Sequence, residues 1–280
     1  MNARLKSSLE VSFIYLVLAA AAVAVFYPLI WAVGLSFNSG TSLYASSMFP
    51  KDPSLEHYRW LFASPESHYL TWYKNTMIVS GCTSVLSVIV TSGVAYAFSR
   101  FDFVGRKSSL YAFLLLQMFP VMMAMVAIYI FLNLIGLLNT LGGLILIYVG
   151  GQIPFNAWLV KGYLDTIPRE IDDAAKIDGS GPLRLFVTIL LPLITPILAI
   201  VALTNFMMPI FDFILPSIIL HDADKYTLAV GLYKFVTEKY ANNFTVFAAG
   251  AILIALPVAL IYLFLQRFFI SGLAAGGTKG

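Results

Sequence analysis

Asp173-Ala174-Ala175-Lys176-Ile177-Asp178-Gly179, followed by Ile189-Leu190-Leu191-Pro192, occupies the most densely charged interruption between two strongly apolar segments of this chain. What lies on either side decides the fold class. The 280 residues are 60% hydrophobic and only 11% charged, whereas a soluble domain carries about 25% charged residues. Such a composition belongs to an all-α, polytopic membrane protein. A formal charge of +3, dispersed along the chain, points away from nucleic acid. The single cysteine, Cys82, excludes an intramolecular disulfide and a cysteine metal cluster.

A helix needs about 20 apolar residues to cross a bilayer core. Six segments meet that length, roughly 11–36, 72–99, 109–134, 139–160, 188–220 and 244–266. The first is longer than the apolar core of a signal peptide, about 7–15 residues, and reads as a retained span. Pro28, Pro120, Pro154, Pro196, Pro209, Pro216 and Pro257 lie in or near spans and predict kinks, whose freed carbonyls need partners or cavity water. Eleven cations (Arg4, Lys6, Arg100, Arg106, Lys107, Lys161, Arg169, Lys176, Arg184, Arg267, Lys279) flank one side of these spans, against six (Lys51, Arg59, Lys74, Lys225, Lys234, Lys239) on the other. The positive-inside rule then predicts that both termini are cytoplasmic.

The interruption at 162–187 reads as two short helices with a bend between them. Thr166 suits a cap, Pro168 a first turn, and Glu170, Asp172 and Asp173 place negative charge at the positive end of the helix dipole. Gly179 stands where a helix ends in a left-handed conformation, and Ser180 and Pro182 suit the start of a second helix running into Pro192. Small Ala174 and Ala175 would let a partner approach closely, and a rigid run into the fifth span would carry a push into the membrane. An interfacial helix pair lying on the bilayer is the other reading of the same pattern.

The stretch resembles the EAA motif of permeases of binding-protein-dependent ABC importers. That motif has the form Glu-Ala-Ala, three residues, glycine, then nine residues before Ile-x-Leu-Pro. Asp173, Ala174, Ala175, Gly179, Ile189, Leu191 and Pro192 fall at its spacing, with aspartate for the usual glutamate and Ser180 where alanine is common. Val94-Ala95-Tyr96-Ala97-Phe98-Ser99-Arg100 and Gln117-Met118-Phe119-Pro120 are similar to the carbohydrate-uptake branch, most like the smaller permease of maltose/maltodextrin transporters. The resemblance implies a type I ABC importer permease fold of six transmembrane helices in a bacterial cell membrane. It also implies a second permease, two ATPase subunits that bind ATP and Mg, an extracytoplasmic sugar-binding protein and an oligosaccharide substrate such as a maltodextrin. Residues Asp173, Ala174, Ala175, Asp178, Gly179, Ile189, Leu191 and Pro192 would couple to the ATPase. The tail at 268–280, with Gly276, Gly277 and Lys279, would reach into the ATPase interface. Tyr226, Tyr233 and Tyr240, in the 221–243 outer loop, would contact the binding protein, although an aromatic belt at the membrane surface explains them equally.

Asp212 is the one acidic residue deep in an apolar span, and an intramembrane carboxylate is a functional hypothesis by default. It lines a wet path, together with Gln117 and Asn205, or pairs with a group on a partner subunit, or is satisfied by neighbouring helices or near the outer interface. No catalytic constellation is evident. His57, His68 and His221 lack metal-ligand spacing, and Gly105-Arg106-Lys107-Ser108 lacks the adjacent Gly-Lys of a phosphate loop. If the chain works by ATP, the ATPase is therefore another polypeptide. A stand-alone secondary transporter, the competing class, would need ion-coordinating residues at mid-membrane and often internal repeats.

Overall fold

The computed structural model describes residues 3–41, 48–237 and 243–277, the side chains of 3–10 and 267–277 excepted. Helices account for almost all of it, and no strand occurs among the described residues. In chain order they are α1 (Ala3–Ser36), α2 (Glu56–Ala63), α3 (Tyr69–Arg100), α4 (Arg106–Gln117), α5 (Val121–Leu134), α6 (Leu141–Leu164), α7 (Glu170–Ile177), α8 (Pro182–Leu185), α9 (Leu191–Leu193), α10 (Thr195–Phe211), α11 (Ile214–Ile219), α12 (Leu228–Thr237) and α13 (Phe244–Gly277). Four of them contain an unbroken run long and apolar enough to cross a membrane: Val11–Ser36, Tyr69–Arg100, Leu141–Leu164 and Phe244–Gln266.

The segments 109–134 and 188–220 are not single helices. The first is α4 and α5, which meet at 101°. Pro120 offers no N–H and disfavours a helical Phe119, so the chain turns at Met118-Phe119-Pro120 and restarts with Pro120 at the N-cap of α5. The second segment is broken twice. The run Pro182–Leu193 meets α10 at 78°, at Ile194, and Asp212 ends α10 in extended conformation before α11 begins. The expected rigid run into a fifth span is therefore a bent one. With either bent pair taken as one span, the number of crossings rises from four to at most six.

The chain divides into two compact units, Met1–Tyr69 with Leu232–Ala255 and Leu70–Gly231 with Leu256–Gly280. In the first unit, the connection after α1 is tied down by polar contacts. His57, buried on α2, has Nε2 2.9 Å from the Asn38 carbonyl oxygen, and Tyr58 donates to Ser36 Oγ at 2.8 Å. Thr245 Oγ1 donates to the Gly40 carbonyl at 2.5 Å, and the Trp60 and Phe235 rings meet edge to face at 5.6 Å.

The second unit holds two apolar cores. One joins Val79 of α3, Leu132 of α5, Leu144 and Tyr148 of α6, and Leu215 and Ile219 of α11. Beside it Asn139, at φ +58, clamps the α5–α6 turn: its N–H donates to the Ile219 carbonyl, and its Oδ1 accepts from the His221 and Asp222 N–H groups. Hydrogen bonds from Lys225 and Asn139 hold the exposed Asp222 carboxyl below the usual carboxylate range. The second core joins Ala95 and Tyr96 of α3, Val160 and Leu164 of α6, Ala175 of α7, Leu185 of α8, and Ile197 and Val201 of α10. It lies beneath the charged interruption that separates α6 from α10.

Two glycines of the second unit are demanded by close approach. A Cβ at Gly231 would fall onto the ring of buried Trp72, whose Nε1 donates to the Ala223 carbonyl at 2.6 Å, and one at Gly143 would fall onto the Leu137 carbonyl oxygen. Gly231→Ala and Gly143→Ala should each cost about 1–3 kcal/mol of stability through overpacking. Thermal unfolding of the detergent-purified variants checks this, with Gly81→Ala, whose Cβ would meet open space, as the neutral comparison.

Candidate functional site

The connection between α6 and α10 is a ledge built on the last turn of α3. Phe98 and Ser99 are near the C-terminus of α3, where helix carbonyls lack intrahelical donors and carry the negative end of the dipole. Arginines supply what is missing. Arg106 donates to the carbonyls of Phe98 (2.7 Å) and Ser99 (3.1 Å), and Arg169, from the ledge, donates to the Ser99 carbonyl at 3.0 Å. Ser99 Oγ donates to Asp165 at 2.6 Å, and Asp165 also pairs with Lys161. Arg100 Nη2 donates to the Ile167 carbonyl at 3.0 Å.

The central contact is an ion pair. Arg100 Nε lies 2.7 Å from Asp172 Oδ2, with the two side chains 6% and 7% exposed. The geometry is close but not aligned as a hydrogen bond, so charge attraction holds it. In a low-dielectric setting neither charge tolerates loss of the other. Tyr96 adds a second tie: its hydroxyl donates to the Pro182 carbonyl at 2.9 Å, and its ring stacks on Phe186 at 4.6 Å.

The local chain forms this ledge for readable reasons. Glu170, Asp172 and Asp173 sit in the first turn of α7 and Lys176 in its last, complementing the dipole. Gly179, at φ +77, ends the helix in a Schellman motif: Ser180 N–H bonds the Ala175 carbonyl and Gly179 N–H the Lys176 carbonyl. Pro182 opens α8. The stretch Phe186–Leu190 winds as a π-helix, so that the Leu191 N–H reaches back to Phe186. Such widened turns recur at functional sites, and Pro192, without an N–H, cannot close the ordinary helical bond to Thr188.

The sequence expectations for the ledge are partly corrected. Thr166 caps nothing; its hydroxyl bonds back to the Tyr163 carbonyl, and Arg169 holds the N-cap position. Ala175 is 4% exposed and packs inward, so it offers no surface to a partner. Ile189 and Leu191 likewise pack against the core, whereas Pro192 is exposed. The outward face carries Asp173, Ala174, Asp178 and Gly179, with Asp173 paired to Lys176 at 2.9 Å. Two apolar side chains that composition alone did not single out, Ile177 at 86% and Leu183 at 74% exposure, project from the same ledge. Arg100 and Asp172 were also missed as a pair. The helical phase of α7 held the signal: positions 172 and 175 share a face, opposite 173, 174 and 177.

Elsewhere the candidate residues scatter. Asp212 accepts from Tyr148 Oη at 2.9 Å and from the N–H groups of Ile214 and Leu215, so it caps α11 and is satisfied within the chain. Asn205 is buried and donates to the Val201 carbonyl, while Gln117 is exposed with Nε2 3.5 Å from the Gly151 carbonyl. Tyr226 donates to the His221 carbonyl, and Tyr233 stands on α12 in the other compact unit, 45% exposed. Tyr240 and Lys279 lie outside the described residues, and Gly276 and Gly277 are helical, because α13 continues to Gly277. No group of three or more His, Cys, Asp or Glu able to hold a metal occurs among the described residues.

Comparison with known proteins gives the family of this kinked helical chain. The chain belongs to the family of binding-protein-dependent transport system inner membrane components, whose model matches residues 87–274. It is 47% identical over 278 residues to the galactooligosaccharides transport system permease protein GanQ of Bacillus subtilis (strain 168), covering 99% of this chain and 98% of that one. It is 44% identical over 280 residues to the maltodextrin transport system permease protein MdxG of the same organism, covering 100% of both. The maltose/maltodextrin transport system permease protein MalG of Escherichia coli (strain K12) is 34% identical over 293 residues, covering 98% of this chain and 97% of that one. The fold is that of a chain in the crystal structure of a bacterial ABC transporter involved in the import of the acidic polysaccharide alginate, with TM-score 0.83 at 23% identity over 96% of this chain and 99% of that one.

If the ion pair sets the ledge, breaking it from either side should cost about 3–5 kcal/mol. Arg100→Ala or Asp172→Ala should therefore speed proteolytic cleavage within 165–181, while the exchange Arg100→Asp with Asp172→Arg recovers part of the protection. Additive losses with no recovery would show that the two side chains act independently.

Proposed function

We propose that this chain is one of two transmembrane subunits of an ATP-driven oligosaccharide importer, in which α7 and α8 dock on a separate ATPase. The observation that carries the reading is the division of α7 into two faces. Asp172 and Ala175 fasten it inward, to α3 and the core, while Asp173, Ala174 and Ile177 face outward, Asp173 with its side chain paired to Lys176 of the same helix. A helix that spends one face on rigid anchoring and presents the other, apolar knob included, suits a groove on a soluble partner.

In this reading both termini and the ledge are cytoplasmic, ATP and Mg are bound by the ATPase, and a second permease completes the pathway. An extracytoplasmic binding protein delivers sugar to the opposite side. Closure of the ATPase dimer displaces the ledge, and Arg100, Arg169 and Tyr96 transmit that displacement to α3, while Leu185 and Ile194 transmit it to the core around α10. The 78° bend at Ile194 makes this a rotation of two rigid pieces rather than a straight push. ATP binding and hydrolysis thereby bias two states of alternating access. The named substrates of the 47% and 44% identical relatives support oligosaccharides as the cargo class, maltodextrins or galacto-oligosaccharides. The tail beyond 268 would add a second ATPase contact, and Tyr226, Tyr233 and Tyr240 would meet the binding protein.

The test is uptake of labelled maltotriose and galactotriose by cells carrying variants of the ledge. Ala174→Glu changes an exposed position and should leave folding within about 0.5 kcal/mol while reducing uptake about ten-fold or more. Gly179→Pro cannot adopt φ +77, since proline holds φ near −65°, and should abolish uptake with the chain still in the membrane. Normal uptake by both variants at normal abundance would remove the docking role.

A further inference from the structure

Pro154 interrupts the middle of α6 and has no N–H to offer the Gly150 carbonyl one turn back. Gly150 and Gly151 lie together on that turn, and a Cβ on either would meet nothing within 4 Å. Glycine weakens a helix by about 1 kcal/mol relative to alanine, and no contact within this chain requires their small size. They open onto a cavity of about 390 Å³ beside the α4–α5 break, within the range of ligand pockets, roughly 300–1,000 Å³.

The lining has a distinct chemistry. Phe119 supplies aromatic surface, Tyr148 is buried in the wall behind, and Gln117 and Gln152 supply two amides. Neither amide is well spent. Gln117 Nε2 reaches the Gly151 carbonyl only at 3.5 Å, the outer limit of a hydrogen bond, and Gln152 Nε2 donates to Met208 Sδ at 3.2 Å, a weak acceptor. Both would gain by exchanging these contacts for a hydroxyl. No lysine, arginine or histidine lines the cavity, and Asp212 lies directly behind Tyr148, 2.9 Å from its hydroxyl. At low dielectric an anion there would meet an acidic neighbour with no compensating cation.

We propose that this cavity is a subsite for one neutral sugar ring of the transported oligosaccharide, held within this subunit itself. The ring's apolar face lies on the aromatic surface, and its hydroxyls are shared among Gln117, Gln152 and the Gly150 carbonyl. The close approach to backbone is what the two glycines permit. Acidic sugars are excluded by charge. The assignment rests on the oligosaccharide-importer reading.

The experiment uses the complete transporter, with its partner permease, ATPase and binding protein, in proteoliposomes. Maltotriose uptake and binding-protein-stimulated ATP hydrolysis are measured in the same vesicles. Gly151→Leu, which fills the cavity, and the paired Gln117→Ala, Gln152→Ala should each lower uptake about ten-fold or more. ATP hydrolysis should stay within about two-fold, because the ledge and its contact with the ATPase are unaltered. In a Cys82→Ser background, thiol labelling of Gln152→Cys should be slowed by maltotriose and not by trigalacturonate. Unchanged uptake in the variants, equal protection by the acidic sugar, or parallel loss of ATP hydrolysis would overturn the subsite. Loss of the second permease from the Gly151→Leu complex would also overturn it, assigning the glycines to helix packing. Failure of the unaltered transporter to move maltotriose or galactotriose is a different result, which removes the oligosaccharide reading on which the subsite rests.

Discussion

Arg100 and Asp172 meet with both side chains less than a tenth exposed, and the position of α7 follows from that contact. A buried pair of this kind is weak as a source of net stability, because desolvation offsets much of the attraction, yet it is severe in what it forbids. If α7 slid or turned on the end of α3, one charge would be left without its counterion. Around this fixed point, Arg106 and Arg169 satisfy the carbonyls at the end of α3, and Tyr96 fastens α8. The ledge thus behaves as an extension of α3, even though more than sixty residues of chain separate them.

That arrangement gives the bends in the apolar segments a mechanical meaning. A straight helix from α8 into α10 would transmit axial force only. The break at Ile194 and the 101° turn at Pro120 instead create rigid pieces joined at defined points, which is how packed helices convert small displacements into larger rearrangements. Helix α6 links the two regions of interest: its C-terminal Val160 and Leu164 pack under the ledge, and its Gly150-Gly151 turn borders the cavity. A movement imposed at one end of α6 is felt along a single element. Tyr148, two residues before Gly150, holds Asp212 and with it the start of α11.

Much of the fold was legible in the residues. Apolar runs marked the four unbroken helices long enough to cross a membrane, because bilayer thickness sets a length that composition alone can meet. Gly179 announced its left-handed conformation, and Pro182 the start of α8. Other features were not legible because they depend on partners distant in sequence. Pro120 predicted a kink but not a turn of 101°. Asp212 was ambiguous until Tyr148, 64 residues away, was brought to it. Ala175 read as a contact surface because it is small, whereas the phase of α7 turns it inward beside Asp172. Arg100 read as a topogenic charge, and nothing local marked it as the counterion of the ledge.

The central claim is that the outward face of α7 is seated on a soluble ATPase while its inward face is fixed to α3. Site-specific photocrosslinking from position 177, where Ile177 projects 86% exposed, addresses it most directly in the intact transporter purified from membranes. The account predicts a covalent adduct with the ATPase subunit, mapped by mass spectrometry to a groove on its surface, and no adduct when the photoreactive residue replaces inward-facing Ala175. Adducts confined to lipid, or to the chain itself, would place α7 on the bilayer surface and contradict the account.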